Sequence, residues 1–248
     1  MSVTPPFNSL ALRPELLTSV QELGYDAMTA VQAQALPVLM NGRDVIARAS
    51  TGSGKTVAFG LGILQRLDPA SFRIRALVLC PTRELAEQVA GELRRLARSI
   101  ANVKVLTLCG GVGIGPQIGS LKHSAHIVVG TPGRVLKHLT KKTVRFNGLQ
   151  TLVLDEADRM LDMGFTEEID AILAHLPSQR QSLLFSATYP DSIVDMSRRV
   201  LRNPELVDVT AAEPKPLVEA LWLATDRQQR SSDLLRALTR WGGALNLV

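Results

Sequence analysis

Two short stretches of this chain carry residues whose types and spacing could handle a phosphate chain. Residues 49–56 read Ala-Ser-Thr-Gly-Ser-Gly-Lys-Thr, and residues 155–158 read Asp-Glu-Ala-Asp. A glycine-rich turn that opens a helix turns backbone N–H groups and the positive end of the helix dipole toward an anion. At Gly52 and Gly54 no Cβ intrudes where such a loop must wrap around phosphate. Lys55 would reach the β- and γ-phosphates, the Thr56 hydroxyl would ligate magnesium, and Thr51 and Ser53 complete the turn. Ala49 stands where the usual pattern begins with glycine. The competing reading is a flexible Gly/Ser loop with a chance Lys-Thr. The apolar run before it (44–47) and the helical pattern after it (57–67) supply the strand–loop–helix setting that the motif requires.

Asp155 closes the wholly apolar run Thr151-Leu152-Val153-Leu154. A carboxylate pair at that place is poorly explained as a solvated charge run. Asp155 is therefore assigned to magnesium, and Glu156 to the attacking water as base or orienting group. Glu156 and Asp158 could instead cap the helix that follows near Arg159-Met160-Leu161. For Asp158 that capping reading is a real competitor; for Asp155 it is not. Together the two stretches mark a nucleoside-triphosphate site with Mg2+.

The elements that must position these residues are legible as alternating short apolar runs and longer helical patterns. Strands are expected at 43–48, 75–80, 103–108, 126–130, 151–155 and 181–186. Helices are expected at 83–99, 133–140, 165–175 and 191–201. Such alternation implies an α/β fold with a mostly parallel sheet and helices on both faces. Ligands then gather beyond the carboxyl ends of the strands, where both phosphate motifs fall.

Composition narrows the partners. The 248 residues are 46% apolar and 21% charged, with net charge +5 and pI near 9.6. The positive balance fits a polyanion, while 4% aromatic content argues against a base-stacking sheet platform. Cys80 and Cys109 lack metal-ligand spacing and read as buried thiols, hence a reducing, cytoplasmic setting. No apolar run reaches membrane-spanning length, so no membrane partner is expected.

The motifs then fall into one ordered series: Gly24-Tyr25 with Met28-Thr29-Ala30-Val31-Gln32, the loop at 49–56, and Pro81-Thr82-Arg83-Glu84-Leu85-Ala86. Gly110-Gly111, Thr131-Pro132-Gly133-Arg134, Asp155 to Asp158, and Ser186-Ala187-Thr188 follow. Over essentially its whole length the chain resembles the DEAD-box ATP-dependent RNA helicases, and within them the bacterial helicases that work on ribosomal RNA. The resemblance implies a RecA-like (P-loop NTPase) lobe that binds ATP with Mg2+. It implies that Gln32 reads the adenine edge, whose donor and acceptor an amide matches, and that Tyr25 packs against the base. Phe7 matches an upstream aromatic of the family, or is a plain hydrophobic anchor. Met28 and Ala30 stand where the family often has prolines.

By the same resemblance Arg83, Gly110, Gly111, Thr131 and Arg134 contact RNA through its backbone, with little sequence preference. Gly110 and Gly111 could equally form a tight turn, and Glu84 is expected to set a helix start. Asp158, Ser186 and Thr188 would couple the nucleotide site to strand separation, through hydrogen bonds toward Asp158. The two hydroxyls could otherwise be caps before Pro190.

The expected organisation is a lobe at 1–210, a linker at 211–216 and the beginning of a truncated second lobe at 217–248. A strand (217–224), a helix (228–240) ended by Gly242 and Gly243, and the apolar run 244–248 fill that last part. The second lobe would carry the arginine finger, so this polypeptide alone is expected to bind adenine nucleotide weakly and to turn over negligibly. It is expected to be a monomer, with RNA, including ribosomal RNA, as its partner. A non-catalytic RNA- or partner-binding module and a DNA-directed helicase are the rival readings; the latter poorly fits Gln32 and the Asp-Glu-Ala-Asp spelling.

Overall fold

In a computed structural model, residues 5–210, 225, 226 and 228–241 are described. The chain divides into two compact units, Met1–Glu213 and Pro214–Val248. The first runs α1 (Pro14–Glu22), α2 (Ala30–Met40), β1 (Val45–Arg48), α3 (Lys55–Arg66), β2 (Ala76–Leu79), α4 (Arg83–Leu96), β3 (Val105–Leu108), α5 (Ile114–Leu121) and β4 (Ile127–Gly130). It continues with α6 (Pro132–Thr140), β5 (Thr151–Leu154), α7 (Ala157–Asp162), α8 (Thr166–Leu173), β6 (Gln181–Ser186), α9 (Asp191–Val200) and β7 (Glu205–Asp208). The second unit contributes α10 (Arg230–Trp241), in place of the helix expected at 228–240. The linker, the strand at 217–224, Gly242, Gly243 and the run 244–248 lie outside the described residues.

All seven strands are parallel, in the order β3-β4-β2-β5-β6-β1-β7. Successive strand residues point to opposite faces, so each strand feeds two cores. Val45, Ala47, Ala76, Val78, Leu183 and Phe185 pack on one face with side chains of α2, α3 and α4, Phe59 and Leu93 among them. Ile46, Leu77, Leu79, Leu152, Leu154 and Leu184 pack on the other with α6 to α9. Burial on both faces is why the central strands read as continuous apolar runs.

Two buried polar side chains fasten the start of the sheet. Asp44 accepts the backbone N–H of Ser182 at 2.8 Å and of Arg202 at 2.7 Å. Gln181 donates to the carbonyls of Leu39 and Arg43 and accepts from Arg66. They lock β1 and β6 into register from chain segments far apart in sequence.

The six expected strands are all present. A seventh, β7, was not expected. Helices α1, α2 and α5 were also missed, and the helix expected at 83–99 stops at Leu96.

Candidate active site

The carboxyl ends of β1, β6 and β5 carry the phosphate motifs. Beyond β1, Ala49 is fully buried and its N–H donates to the Ser186 carbonyl at 3.1 Å, extending the parallel pairing by one residue. An alanine is tolerated there because the backbone is still strand-like. The loop then turns through Gly52 (φ 83°) and Gly54 (φ 94°), where side chains are strained. A Cβ on Gly54 would also run into Nε2 of Gln32.

Gln32 is almost fully buried and does three things within this frame. Its Oε1 accepts the Thr29 N–H at 2.8 Å, while its own N–H donates to the Thr29 hydroxyl, a reciprocal cap that opens α2. Its Nε2 donates to the Gly54 carbonyl at 3.1 Å. The residue expected to read a base is thus a strut between α2 and the glycine loop.

Lys55, Thr56, Thr51, Gly52 and Gly54 line a cavity of about 210 Å³ together with Tyr25, Asp155 and Glu156. Lys55 Nζ donates to the carbonyls of Ala49 (2.9 Å) and Ser50 (3.1 Å), so the loop holds its own cation. Ser53 bonds back to the Ser50 carbonyl at 2.8 Å and shapes the turn. Tyr25 donates to Glu92 at 2.7 Å. Burial, with help from Glu92, pushes its phenol up to about 12. On its other side Tyr25 lines a second cavity of about 210 Å³ with the buried Phe7.

Asp155 is 3% exposed and accepts the Glu156 N–H at 3.1 Å. Burial pushes its carboxyl up to about 6 against the opposing pull of Lys55, and the Glu156 charge adds to the rise. Glu156 sits at φ 53°, a left-handed conformation that costs a non-glycine residue about 1–2 kcal/mol. Its carboxylate pairs with Arg159 at 3.2 Å. Strain of this kind, retained beside a cavity, is typical of residues held for chemistry.

Asp158 accepts both the Thr188 N–H (2.9 Å) and the Thr188 hydroxyl (2.8 Å). Burial works against its charge, but these bonds outweigh it and hold the carboxyl below its ordinary value. The Ser186 hydroxyl is buried and makes no hydrogen bond of good geometry among the described residues, yet it lies near enough to Asp158 to help hold that carboxyl down. Ser186 ends β6, and Thr188, beyond the strand, supplies the two short bonds to α7.

The other half of the sheet, β3-β4-β2, brings together the second expected group. Arg83 opens α4 beyond β2, Gly110 and Gly111 follow β3, and Thr131 and Arg134 follow β4. Gly111 has φ 79°, and a Cβ there would lie 3.3 Å from the Arg83 guanidinium. Gly110 has open space around it, so only Gly111 is demanded by the turn.

Sequence reasoning missed the residue that organises this group, Gln117 of α5. Its Oε1 accepts from Arg134 (2.9 Å) and meets His138 Nε2 (2.9 Å), and its Nε2 donates to the Cys109 carbonyl (3.0 Å). The acceptor at Oε1 places a His138 proton on Nε2, while Nδ1 lies 2.8 Å from the Thr143 hydroxyl, whose one proton also faces the His138 carbonyl at 3.1 Å. Burial, then the Arg134 charge, holds His138 below its usual pKa, so it is neutral. Arg134 also donates to the Val112 carbonyl at 2.8 Å. A lone glutamine amid Gly115, Pro116 and Gly119 gives no sequence signal.

Comparison with known proteins agrees with this geometry. Residues 29–196 match the model of the DEAD/DEAH box helicase family. The chain is 54% identical over 228 residues to ATP-dependent RNA helicase DbpA of Escherichia coli, covering 92% of this chain and 50% of that protein. It is 42% identical over 233 residues to DEAD-box ATP-dependent RNA helicase CshA of Geobacillus kaustophilus, covering 94% and 50%. The chain thus spans about half the length of these curated relatives. Among solved structures, a DEAD box protein from Methanococcus jannaschii superposes with TM-score 0.79 at 34% identity, covering 94% of this chain and 63% of that one. Dbp5 of Saccharomyces cerevisiae bound to RNA and ADP BeF3 gives TM-score 0.75 at 30% identity, covering 82% and 52%.

Proposed function

The chain belongs to the DEAD/DEAH box helicase family, and on that premise we propose that it is the ATP-binding, RNA-contacting first lobe of an ATP-dependent RNA helicase. The observation that carries the reading is the single cavity in which Gly52, Gly54, Lys55 and Thr56 from one motif meet Asp155 and Glu156 from the other. The resemblance to DbpA, and to the ribosomal-RNA helicases of that type, makes ribosomal RNA the substrate proposed. The free, buried Cys80 and Cys109 support a cytoplasmic setting, and the protein is proposed to act as a monomer.

The donor set suits magnesium. Asp155 is a buried carboxylate whose charge a cation would stabilise, and the Thr56 hydroxyl lines the same cavity. Among the described residues no cluster of three or more acidic, histidine or cysteine side chains forms an all-protein cage. Magnesium takes one or two protein ligands and fills its shell with water and phosphate oxygens. When bound it neutralises charge on the phosphates.

This chain's own residues do the rest. Lys55 exchanges the Ala49 and Ser50 carbonyls for phosphate oxygens, and loop N–H groups cradle the anion. Glu156 orients the attacking water and accepts its proton. Tyr25 and Phe7 flank the cavity proposed for the base, and Gln32 contacts its edge with the amide hydrogen and lone pair left free. Asp158 and Thr188 carry the state of the phosphate site to the exit of β6. Arg83, Gly111, Thr131 and Arg134 hold the RNA backbone, with Gly110 beside them.

Titration with a fluorescent ADP analogue and magnesium tests the reading. Lys55→Ala should abolish binding, and unlabelled GDP should compete far less well than ADP. Equal competition by GDP would reduce the site to a generic phosphate loop.

A further inference from the structure

A cavity of about 420 Å³, twice the volume of the nucleotide cavity, lies at the opposite end of the sheet. Its walls come from the segments that lead into β2, β4 and β5, including Phe72, Arg73, Ser124, Arg145 and Asn147. All strands are parallel, so these inlets sit at the amino ends. The phosphate motifs sit at the carboxyl ends, beyond strands four to six residues long.

The charge of this region is mainly positive, with Asp68 just outside it and close enough to act on His126. No carboxylate lines the cavity. Residues 72–75, 121–126 and 141–148 contain Arg73, Arg75, Lys122, Lys141, Lys142 and Arg145 and no acidic residue. The rest of the chain then holds 22 basic residues against 23 acidic ones, so the whole net positive charge of +5 is accounted for here. Some arginines elsewhere find carboxylates, as Arg43 with Glu205, Arg48 with Asp208 and Arg199 with Asp170. The exposed Arg73 and Arg145 side chains have neither a hydrogen bond nor an ion pair among the described residues. Two unpaired guanidiniums on the wall of one cavity are matched by an anion that supplies bidentate oxygens, such as phosphate.

Phe72 adds a second chemistry. It is 64% exposed, with its inner edge near the His126 ring at 6.2 Å between centroids. An exposed phenyl beside unpaired guanidiniums offers a stacking surface to a base whose phosphates the arginines hold. An acidic polypeptide would meet the charge and leave this ring unused.

We infer that this cavity is a second RNA site, which takes a single-stranded segment flanking the one held at the carboxyl ends. Arg73 and Arg145 grip its phosphates and Phe72 stacks on a base. The choice of RNA as the polyanion rests on the function proposed above.

The test is fluorescence anisotropy of a labelled single-stranded oligouridylate, titrated with the 248-residue chain over a range of salt. The variants are Arg73→Ala/Arg145→Ala, Phe72→Ala and, at the other end, Arg134→Ala. Fluorescent ADP binding serves as the control for folding. The double variant should weaken RNA binding about tenfold at low salt and flatten the salt slope by about 1.4, two phosphate contacts at ~0.7 each. Phe72→Ala should weaken binding with the slope unchanged. Wild-type affinity and slope in the double variant, with Arg134→Ala weakened, would overturn the second site and leave the first standing. The reverse pattern would keep the second site and overturn RNA placement at Arg134. If the double variant instead loses an oligoglutamate peptide while keeping RNA, the occupant is an acidic polypeptide and the inference is wrong.

Discussion

Gln32 has structural work before it meets any base, and that changes what its removal measures. Gln32→Ala would take away the donor to the Gly54 carbonyl as well as the contact proposed for adenine. We therefore expect it to weaken inorganic pyrophosphate severalfold as well as ADP, since a strut lost from the loop costs about 1 kcal/mol. Unchanged pyrophosphate affinity by calorimetry would show that the strut is idle. Glu156 gives a prediction with an inverted sign. In helix interiors alanine ordinarily beats glycine, but at this N-cap of α7, with φ 53°, glycine is the better residue. Glu156→Gly should be about 1 kcal/mol more stable than Glu156→Ala in urea unfolding. Both would abolish the proposed water activation. At this scale the sequence was informative about identity and silent about partners. Lys55 and Asp155 were legible because their motifs name them, whereas Gln117 was not, because its role exists only once α5 and α6 pack together.

Among the elements, α7 and the turn beyond β6 are joined by Asp158 and Thr188. Asp158 has its folded pKa depressed, so its contribution is present above the unfolded value near 3.8 and fades as pH falls through the folded value. Thr188→Ala should therefore cost about 1 kcal/mol at pH 7, discounted for partial exposure, and less at a pH below the folded value of Asp158. Urea unfolding at the two values reads the difference directly. Gln117→Leu should be worse, at about 2–3 kcal/mol, because it strands Arg134, His138 and the Cys109 carbonyl at once. It should also weaken RNA binding, which Gln117→Glu, keeping the shared acceptor, should partly restore. Strands buried on both faces were plain in the sequence. By contrast β7 is an edge strand whose Glu205-Leu206-Val207-Asp208 is half charged, and α5 is broken by glycines and proline. The helix α2 carries Pro37 and apolar residues on every side, so no period stands out.

At the scale of the molecule, the sheet separates its work. The β5-β6-β1 side holds the proposed nucleotide site and the β3-β4-β2 side the proposed backbone grip, so one rigid sheet fixes their separation. The resemblance places the arginine finger in another lobe, and such a finger is worth on the order of 10³–10⁵ in rate. We expect these 248 residues to bind ADP yet hydrolyse ATP slower than the longer relatives by that order, in a phosphate-release assay with RNA. Turnover close to that of the relatives would mean that the lobe carries its own charge stabilisation.

The pairing of β1 sets a schedule. Its neighbours are β6 and β7, and the Asp44–Ser182 bond beside them spans 138 positions of the chain. A ribosome adds about 5–20 residues per second, so the glycine loop is made on the order of 10 s before the strand that seats it. Until then β1 has two unpaired edges, and the loop has the Gln32 strut to α2 but no sheet beside it. Competence for the proposed nucleotide binding thus arrives well after the motif that names it has emerged.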